Sequence, residues 1–243
     1  MSLIVNEIKA KSILTRSGIP GVDYCINPYV GCFYGCRYCY ATFMKRFTGH
    51  TEAWGSFVDV KVNSPEVLQR QLQRKKKGRV MISTVTDAYQ PIEARYKLTR
   101  KCLEVLLQYQ FPVDILTKSP LVLRDMDLFK EFNDIEVGIT ITTNDERIRK
   151  VFEPKAPSIT ARANTLKKLH DNGINTYAFI GPVLPMNPEV LMKKISPYTD
   201  NIIIDRMNYT SKTLGIYKRM NLSKWLDDGF IEDIIQRLEN GFA

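Results

Sequence analysis

From residue 79 onward, short apolar runs alternate with amphipathic helical stretches, and this alternation constrains the fold more than any other feature. Residues 79–84, 113–117, 135–143, 176–180 and 201–204 are short runs rich in Val, Ile and Thr, the pattern of strands. Helices are predicted between them over 98–109, 121–132, 160–172 and 188–195, with Gly173 closing the third. The stretch 222–238 is largely helical. Two further strands are predicted upstream, over 23–30 and 57–63. Ser64-Pro65-Glu66 then opens a helix, with Ser as cap and Pro in the first turn. Strands alternating with helices imply parallel βαβ units. Six βα repeats are too few for a closed eight-stranded barrel, unless the N-terminal strands complete it. The expectation is an α/β chain forming an open, partial (βα)6-type TIM barrel, with its chemistry on the loops at the C-terminal strand ends. Two hundred and forty-three residues suit one such domain over 1–243. Within it, 1–23 form an N-terminal extension and 205–243 a C-terminal basic and helical segment.

Five cysteines are present, an odd number, which argues against a disulfide framework. Cys32, Cys36 and Cys39 fall within eight residues with the spacing CxxxCxxC. Fe–S cubanes are held by Cys thiolates, usually four. Three from one loop leave one iron open, as a catalytic metal requires. Gly31 and Gly35 let this loop wrap closely. The alternative is a structural zinc site with Cys25 as the fourth thiolate, although the Cys25-x6-Cys32 arm is awkward beside the usual short knuckles. Taken singly, Cys25 and Cys102 read as small buried hydrophobes.

CxxxCxxC with an aromatic before the third Cys, ahead of a run of βα units, resembles the radical S-adenosylmethionine (SAM) superfamily. Ser12-Ile13-Leu14, Gly18-Ile19-Pro20-Gly21, Asn27-Pro28-Tyr29, the run from Thr86 to Glu93, Thr117-Lys118-Ser119, Glu153-Pro154 and Arg162 resemble its spore photoproduct lyase-like group, often labelled DNA repair photolyases. The resemblance implies a 4Fe–4S cluster on Cys32, Cys36 and Cys39, with SAM on its open iron. It implies a 5′-deoxyadenosyl radical that abstracts a hydrogen atom, and a low-potential electron donor of flavodoxin or ferredoxin type. It also implies the SAM contacts. Tyr38 lies by the adenine, Ser83, Thr86 and Asp87 by the methionine ammonium, Lys118 by the carboxylate, and Thr140 and Thr142 by the ribose. Tyr40, Thr84, Asp87 and Tyr89 are the candidate catalytic residues. One departure stands out. Where the lyase carries a hydrogen-donating Cys, this chain has Thr84, and a hydroxyl is a far poorer hydrogen-atom donor.

Three segments are expected to face the substrate: 47–55 with His50 and Trp54, 87–95, and the proline-stiffened 181–188. His50 and Trp54 also suit ordinary surface and packing roles. The net charge of +9 favours an anionic partner, with nucleic acid the first candidate and a small molecule or peptide the alternative. A non-catalytic Fe–S or zinc module is the third reading. Six of the ten residues 70–79 are cationic, partly because cations complement a helix C-terminus. Arg206, Lys212, Lys218, Arg219 and Lys224 are interleaved with Tyr209, Tyr217 and Trp225, a pattern compatible with stacked single-stranded bases. No apolar run reaches the roughly 18 residues of a membrane span, and residues 1–7 show no signal-peptide pattern, so a cytoplasmic location is expected.

Overall fold

The computed structural model describes residues 3–242, so residues 1, 2 and 243 of the predicted domain lie outside it. The chain begins with β1 (Ile4–Ile8), β2 (Leu14–Arg16), β3 (Tyr24–Ile26) and β4 (Tyr29–Val30). A 3-10 helix, Tyr40–Phe47, leads to β5 (Phe57–Lys61) and α1 (Ser64–Leu72). There follow β6 (Val80–Ile82), α2 (Glu93–Tyr96), α3 (Leu98–Gln108), β7 (Val113–Thr117), α4 (Met126–Phe129) and β8 (Ile135–Thr140). Next come α5 (Glu146–Phe152), α6 (Ile159–Asp171), β9 (Thr176–Ile180), α7 (Pro188–Ile195) and β10 (Asn201–Ile204). α8 (Leu214–Arg219) and α9 (Asp228–Asn240) close the chain.

The main sheet has the order β10-β9-β8-β7-β6-β3-β2. Its strands from β3 to β10 pair in parallel, and β2 adds an antiparallel edge. The order is linear, so this is the open six-stranded barrel that the alternation implies. Side chains alternate as a strand requires. Val80 and Ile82, Val113 and Ile115, and Ala178 and Ile180 are fully buried. They pack in one core cluster with Leu103, Leu106, Leu166, Leu169 and Leu191 of the helices. Each such side chain contributes roughly 1.5–3 kcal/mol by leaving water. The intervening Met81, Asp114, Leu116, Tyr177 and Phe179 line a cavity in the barrel lumen.

The N-terminal strands do not complete the barrel. β1, β5 and β4 form a separate three-stranded sheet. The predicted strand over 23–30 breaks at Asn27-Pro28, and the chain changes sheets there. Pro28 has no N–H for a ladder, yet its carbonyl accepts from the Lys61 N–H at 3.0 Å. The helix predicted over 121–132 is instead a 3-10 turn, Pro120–Asp125, followed by the short α4. The turn directs the Asp125 carboxylate inward, where Arg100 and Arg124 donate to it at 3.0 and 2.7 Å. α5 and α8 lie in stretches too short and polar for periodicity to mark.

Candidate active site

A cavity of about 530 Å3 fills the barrel lumen and opens at the C-terminal strand ends. Cys32, Cys36 and Cys39 line one wall. Ser83 to Asp87 after β6, Lys118 after β7, Thr140 at the end of β8 and Asp205 to Tyr209 after β10 line the rest.

The cysteine loop is shaped by contacts on its outer side. Gly31 has φ +85°, and a Cβ there would sit 2.5 Å from the Phe57 carbonyl oxygen. Gly35 and Gly55 meet so closely that a Cβ on Gly55 would lie 2.8 Å from Gly35 Cα. These glycines thus let the loop press on residues 54–57. Gln90 pins the loop start: its Oε1 accepts from the Phe33 N–H at 2.9 Å and its Nε2 donates to Thr86 Oγ1 at 2.9 Å. Thr86 donates in turn to the Gly31 carbonyl at 2.6 Å. The loop end is held by the Arg37 N–H on the Phe152 carbonyl at 2.8 Å. There the Tyr38 hydroxyl and the Arg162 guanidinium both donate to the Glu153 carboxylate. Arg162 and Glu153 have no exposed side-chain surface.

Burial raises the pKa of all three thiols, with Asp87 adding to the effect at Cys32. Cys36 is pushed up to about 12, although Lys118 opposes the shift. Such thiols stay protonated until a cation takes the proton's place. The buried Trp54 indole N–H has no hydrogen-bond partner and lies beside the Cys39 thiol. On the opposite wall the Ser83 hydroxyl is buried without a partner, on a backbone held at φ +65°. Lys118 makes no salt bridge among the described residues. Burial would lower its pKa, but Cys36 and Glu153 more than reverse this, so it stays a cation. Asp87 is fully engaged, accepting from Thr117 Oγ1 at 2.6 Å, Lys118 N at 2.9 Å and Tyr89 N at 3.0 Å.

Residues 26–193 match the family model of the Radical SAM superfamily. Uncharacterized protein MJ0683 of Methanocaldococcus jannaschii is 43% identical over 204 residues, covering 83% of this chain and 77% of the relative. The chain belongs to the radical SAM superfamily. Among solved structures, a spore photoproduct lyase mutant with dinucleoside spore photoproduct aligns with TM-score 0.64 at 17% identity, over 89% of this chain and 65% of the lyase. Streptococcus suis SuiB bound to precursor peptide SuiA aligns with TM-score 0.58 at 16% identity, over 88% of this chain and 46% of SuiB. The chain therefore spans less than two thirds of either length, and at these identities the likeness is one of fold.

Radical SAM enzymes use a 4Fe–4S cluster and SAM, and the residues present fit both. Three thiols, those of Cys32 and Cys36 buried and that of Cys39 half-buried, line the same cavity as an orphaned hydroxyl and an unpaired cation. Cys25 contacts Thr15 at 3.1 Å and does not line the cavity. That position disfavours Cys25 as the fourth thiolate of a zinc site. Cys25 is half-buried and not the buried hydrophobe expected, whereas Cys102 is fully buried in α3.

The lumen gathers Tyr38, Tyr40, Ser83, Thr84, Thr86, Asp87, Lys118 and Thr140, but not every sequence candidate. Tyr89 is fully buried outside the cavity, near Asp125 and Glu93. Thr142 is also buried outside it, its hydroxyl unpartnered. The Thr86 hydroxyl is occupied by the cysteine loop. Tyr40 is half-exposed at the mouth and donates to the Thr84 carbonyl. His50 faces a different hollow, bonded to Glu52 at 2.9 Å and Asp59 at 2.8 Å, and so does not serve the cavity. Tyr217 and Trp225 are buried and offer no face to a base. The sequence reading missed Asp114, Tyr177 and Phe179, which the alternation of β7 and β9 could have aimed into the lumen. In the 205–209 strap, Arg206 and Tyr209 belong to the basic and aromatic run already singled out and do line the cavity, whereas Asp205, Met207 and Asn208 carry no local pattern that marks them.

Proposed function

We propose that this chain, read as one domain over 1–243, is a radical SAM enzyme that acts on a base of a nucleic acid and begins by removing a hydrogen atom. Cys32, Cys36 and Cys39 hold the cluster. Ser83 receives the methionine ammonium, Lys118 the carboxylate and Thr140 the ribose, and the Tyr38 backbone borders the adenine. Thr86, Asp87 and Gln90 keep these groups in place. When bound, the pair supplies a carbon-centred radical that takes a hydrogen atom from the substrate. An electron donor of flavodoxin or ferredoxin type is the partner. The observation that carries the substrate class is the mouth. Exposed Tyr40 and Tyr209 frame it, Arg46 and Lys212 lie on the same two segments, and exposed Arg37 lies in the adjoining cysteine loop. Of the acids that line the cavity, Asp87 is engaged as above and Asp114 accepts from the Tyr177 hydroxyl at 2.7 Å, while Asp205 is exposed and accepts from Asn208 at 3.2 Å.

The test is anaerobic turnover of the reconstituted enzyme with deuterated oligonucleotides. Deuterium should appear in 5′-deoxyadenosine, and product release should rise above the rate without substrate. Stimulation by peptides alone, with oligonucleotides inert, would overturn the assignment.

A further inference from the structure

The 3-10 helix Tyr40–Phe47 carries an unusual outer face. Tyr40 is 44% exposed, Phe43 40% and Phe47 75%. Isolated exposed apolar residues are ordinary, but an aromatic row beside a cavity mouth marks an interaction site. The helix type sets the start of the row, since at three residues per turn positions 40 and 43 eclipse; Phe47, at the helix end, joins it through its edge-on contact with Phe43. Tyr40 and Phe43 have centroids 6.4 Å apart at 28°, and Phe43 and Phe47 lie 6.4 Å apart at 90°. The buried anchor of this helix is Ala41. The rings are therefore not needed to hold the helix down.

A second segment meets this row. Lys212 Nζ donates to the Cys39 carbonyl and to Thr42 Oγ1, both at 2.7 Å. The same ammonium lies 5.1 Å from the centre of the Tyr209 ring, which is 48% exposed. Tyr209 and Tyr40 both line the cavity, so the aromatic face begins at the mouth and runs outward to Phe47. From Arg37 to Thr51 the sequence has no carboxylate, and from Arg206 to Lys224 it has none. Arg37 and Arg46 are exposed and form no salt bridge among the described residues.

We infer that Tyr40, Phe43 and Phe47, continued by Tyr209, form a stacking platform for the unpaired nucleotides that flank the base admitted to the cavity. The inference rests on the nucleic-acid reading and deepens it, because it names the strand state. Ring faces beside scattered cations bind single strands, whose bases are free to stack, with little regard to sequence. A duplex hides those faces.

The test measures the anisotropy of labelled 12-mers, as single-stranded DNA, the same sequence in RNA, and duplex, on the reconstituted full chain. The double variant Phe43→Ala/Phe47→Ala changes only exposed rings. It should keep its iron and its SAM cleavage without substrate, while single strands bind about tenfold more weakly or worse. Its salt dependence should not change. Arg46→Gln should instead lower the log–log salt slope by about 0.7, the share of one phosphate on a single strand. Phe43→Trp/Phe47→Trp should restore tight binding. Unchanged affinity in the alanine variant would remove the platform and leave the nucleic-acid reading standing. Absence of any oligonucleotide binding by the unaltered chain would remove both. Slower reduction by a flavodoxin, with oligonucleotide affinity intact, would make the face an electron-donor dock and overturn the proposal.

Discussion

The floor of the cavity and its mouth are built differently. At the floor, Cys32 to Cys39 is bonded at both ends to the barrel, through Gln90 and Thr86 on one side and Glu153 and Arg162 on the other. The mouth, comprising 40–47 and 205–213, is tethered at few points. Lys212 joins the two segments. Arg206 reaches Glu232 of α9 across exposed surface. His50 fastens the return to β5. A floor fixed from behind keeps its inward-facing groups available without side-chain rearrangement. A mouth held by tethers can change its residues without disturbing that floor, and this is where substrate choice is most readily altered.

The comparison breaks first at the thiols. Cys32→Ala, Cys36→Ala and Cys39→Ala should each abolish iron binding after anaerobic reconstitution, whereas Cys25→Ala and Cys102→Ala should retain it. Iron loss in Cys25→Ala would mean that the floor extends to β3. The next effect is on folding. Glu153→Ala leaves Arg162 charged and buried without a partner, which costs about 3–5 kcal/mol. Glu232→Ala removes the corresponding pair at the mouth, where side-chain exposures of 44% and 63% limit the loss to about 1 kcal/mol at most. Urea denaturation of the cluster-free protein measures both. If Glu153→Ala does not fold, Glu153→Gln, which keeps hydrogen bonds but not charge, should still lose more than Glu232→Ala.

This division also explains what the sequence reveals. The strands at 113–117, 176–180 and 201–204 and the helix at 188–195 are legible because their apolar period is set by the core. The three thiols are legible because their spacing lies within one loop. Residues 84 and 87 could be placed at a strand end, but not the hydrogen bonds that occupy Asp87 and Thr86, because those partners come from residues 31, 90 and 117. Tyr217 and Trp225 illustrate the converse. Basic neighbours suggest exposure, but α8 and the turn at Ser223–Leu226 pack their rings inward. Phe43 is unmarked in the sequence, and Phe47 is marked only as the start of the 47–55 segment, since a sequence does not say which phenylalanines the core leaves out.

The smallest effect concerns the tether at His50. Its ring stacks on Phe57 at 3.9 Å and bridges Asp59 and Glu52. Asn6 also donates to Asp59, at 3.2 Å, and the Lys45 ammonium is engaged nearby on the carbonyls of Thr51 and Glu52. Burial alone would lower the imidazole pKa, but the two carboxylates more than reverse this, so it lies above the ordinary 6.5. A raised pKa means that the folded state holds the proton more tightly. The stability it contributes is complete below about 6.5 and is lost as pH rises through the folded value. The melting temperature of cluster-free protein should therefore exceed that of His50→Gln by its full margin at acidic pH. That margin should narrow by about 2–4 °C on the alkaline side. Water around Glu52, whose side chain is 33% exposed, screens its half of the bridge and keeps the change small. Because the tether holds the mouth and not the floor, iron content should be the same in both proteins at every pH tested. A pH-dependent loss of iron in His50→Gln alone would show that the two regions are mechanically coupled, and the distinction between floor and mouth would fail.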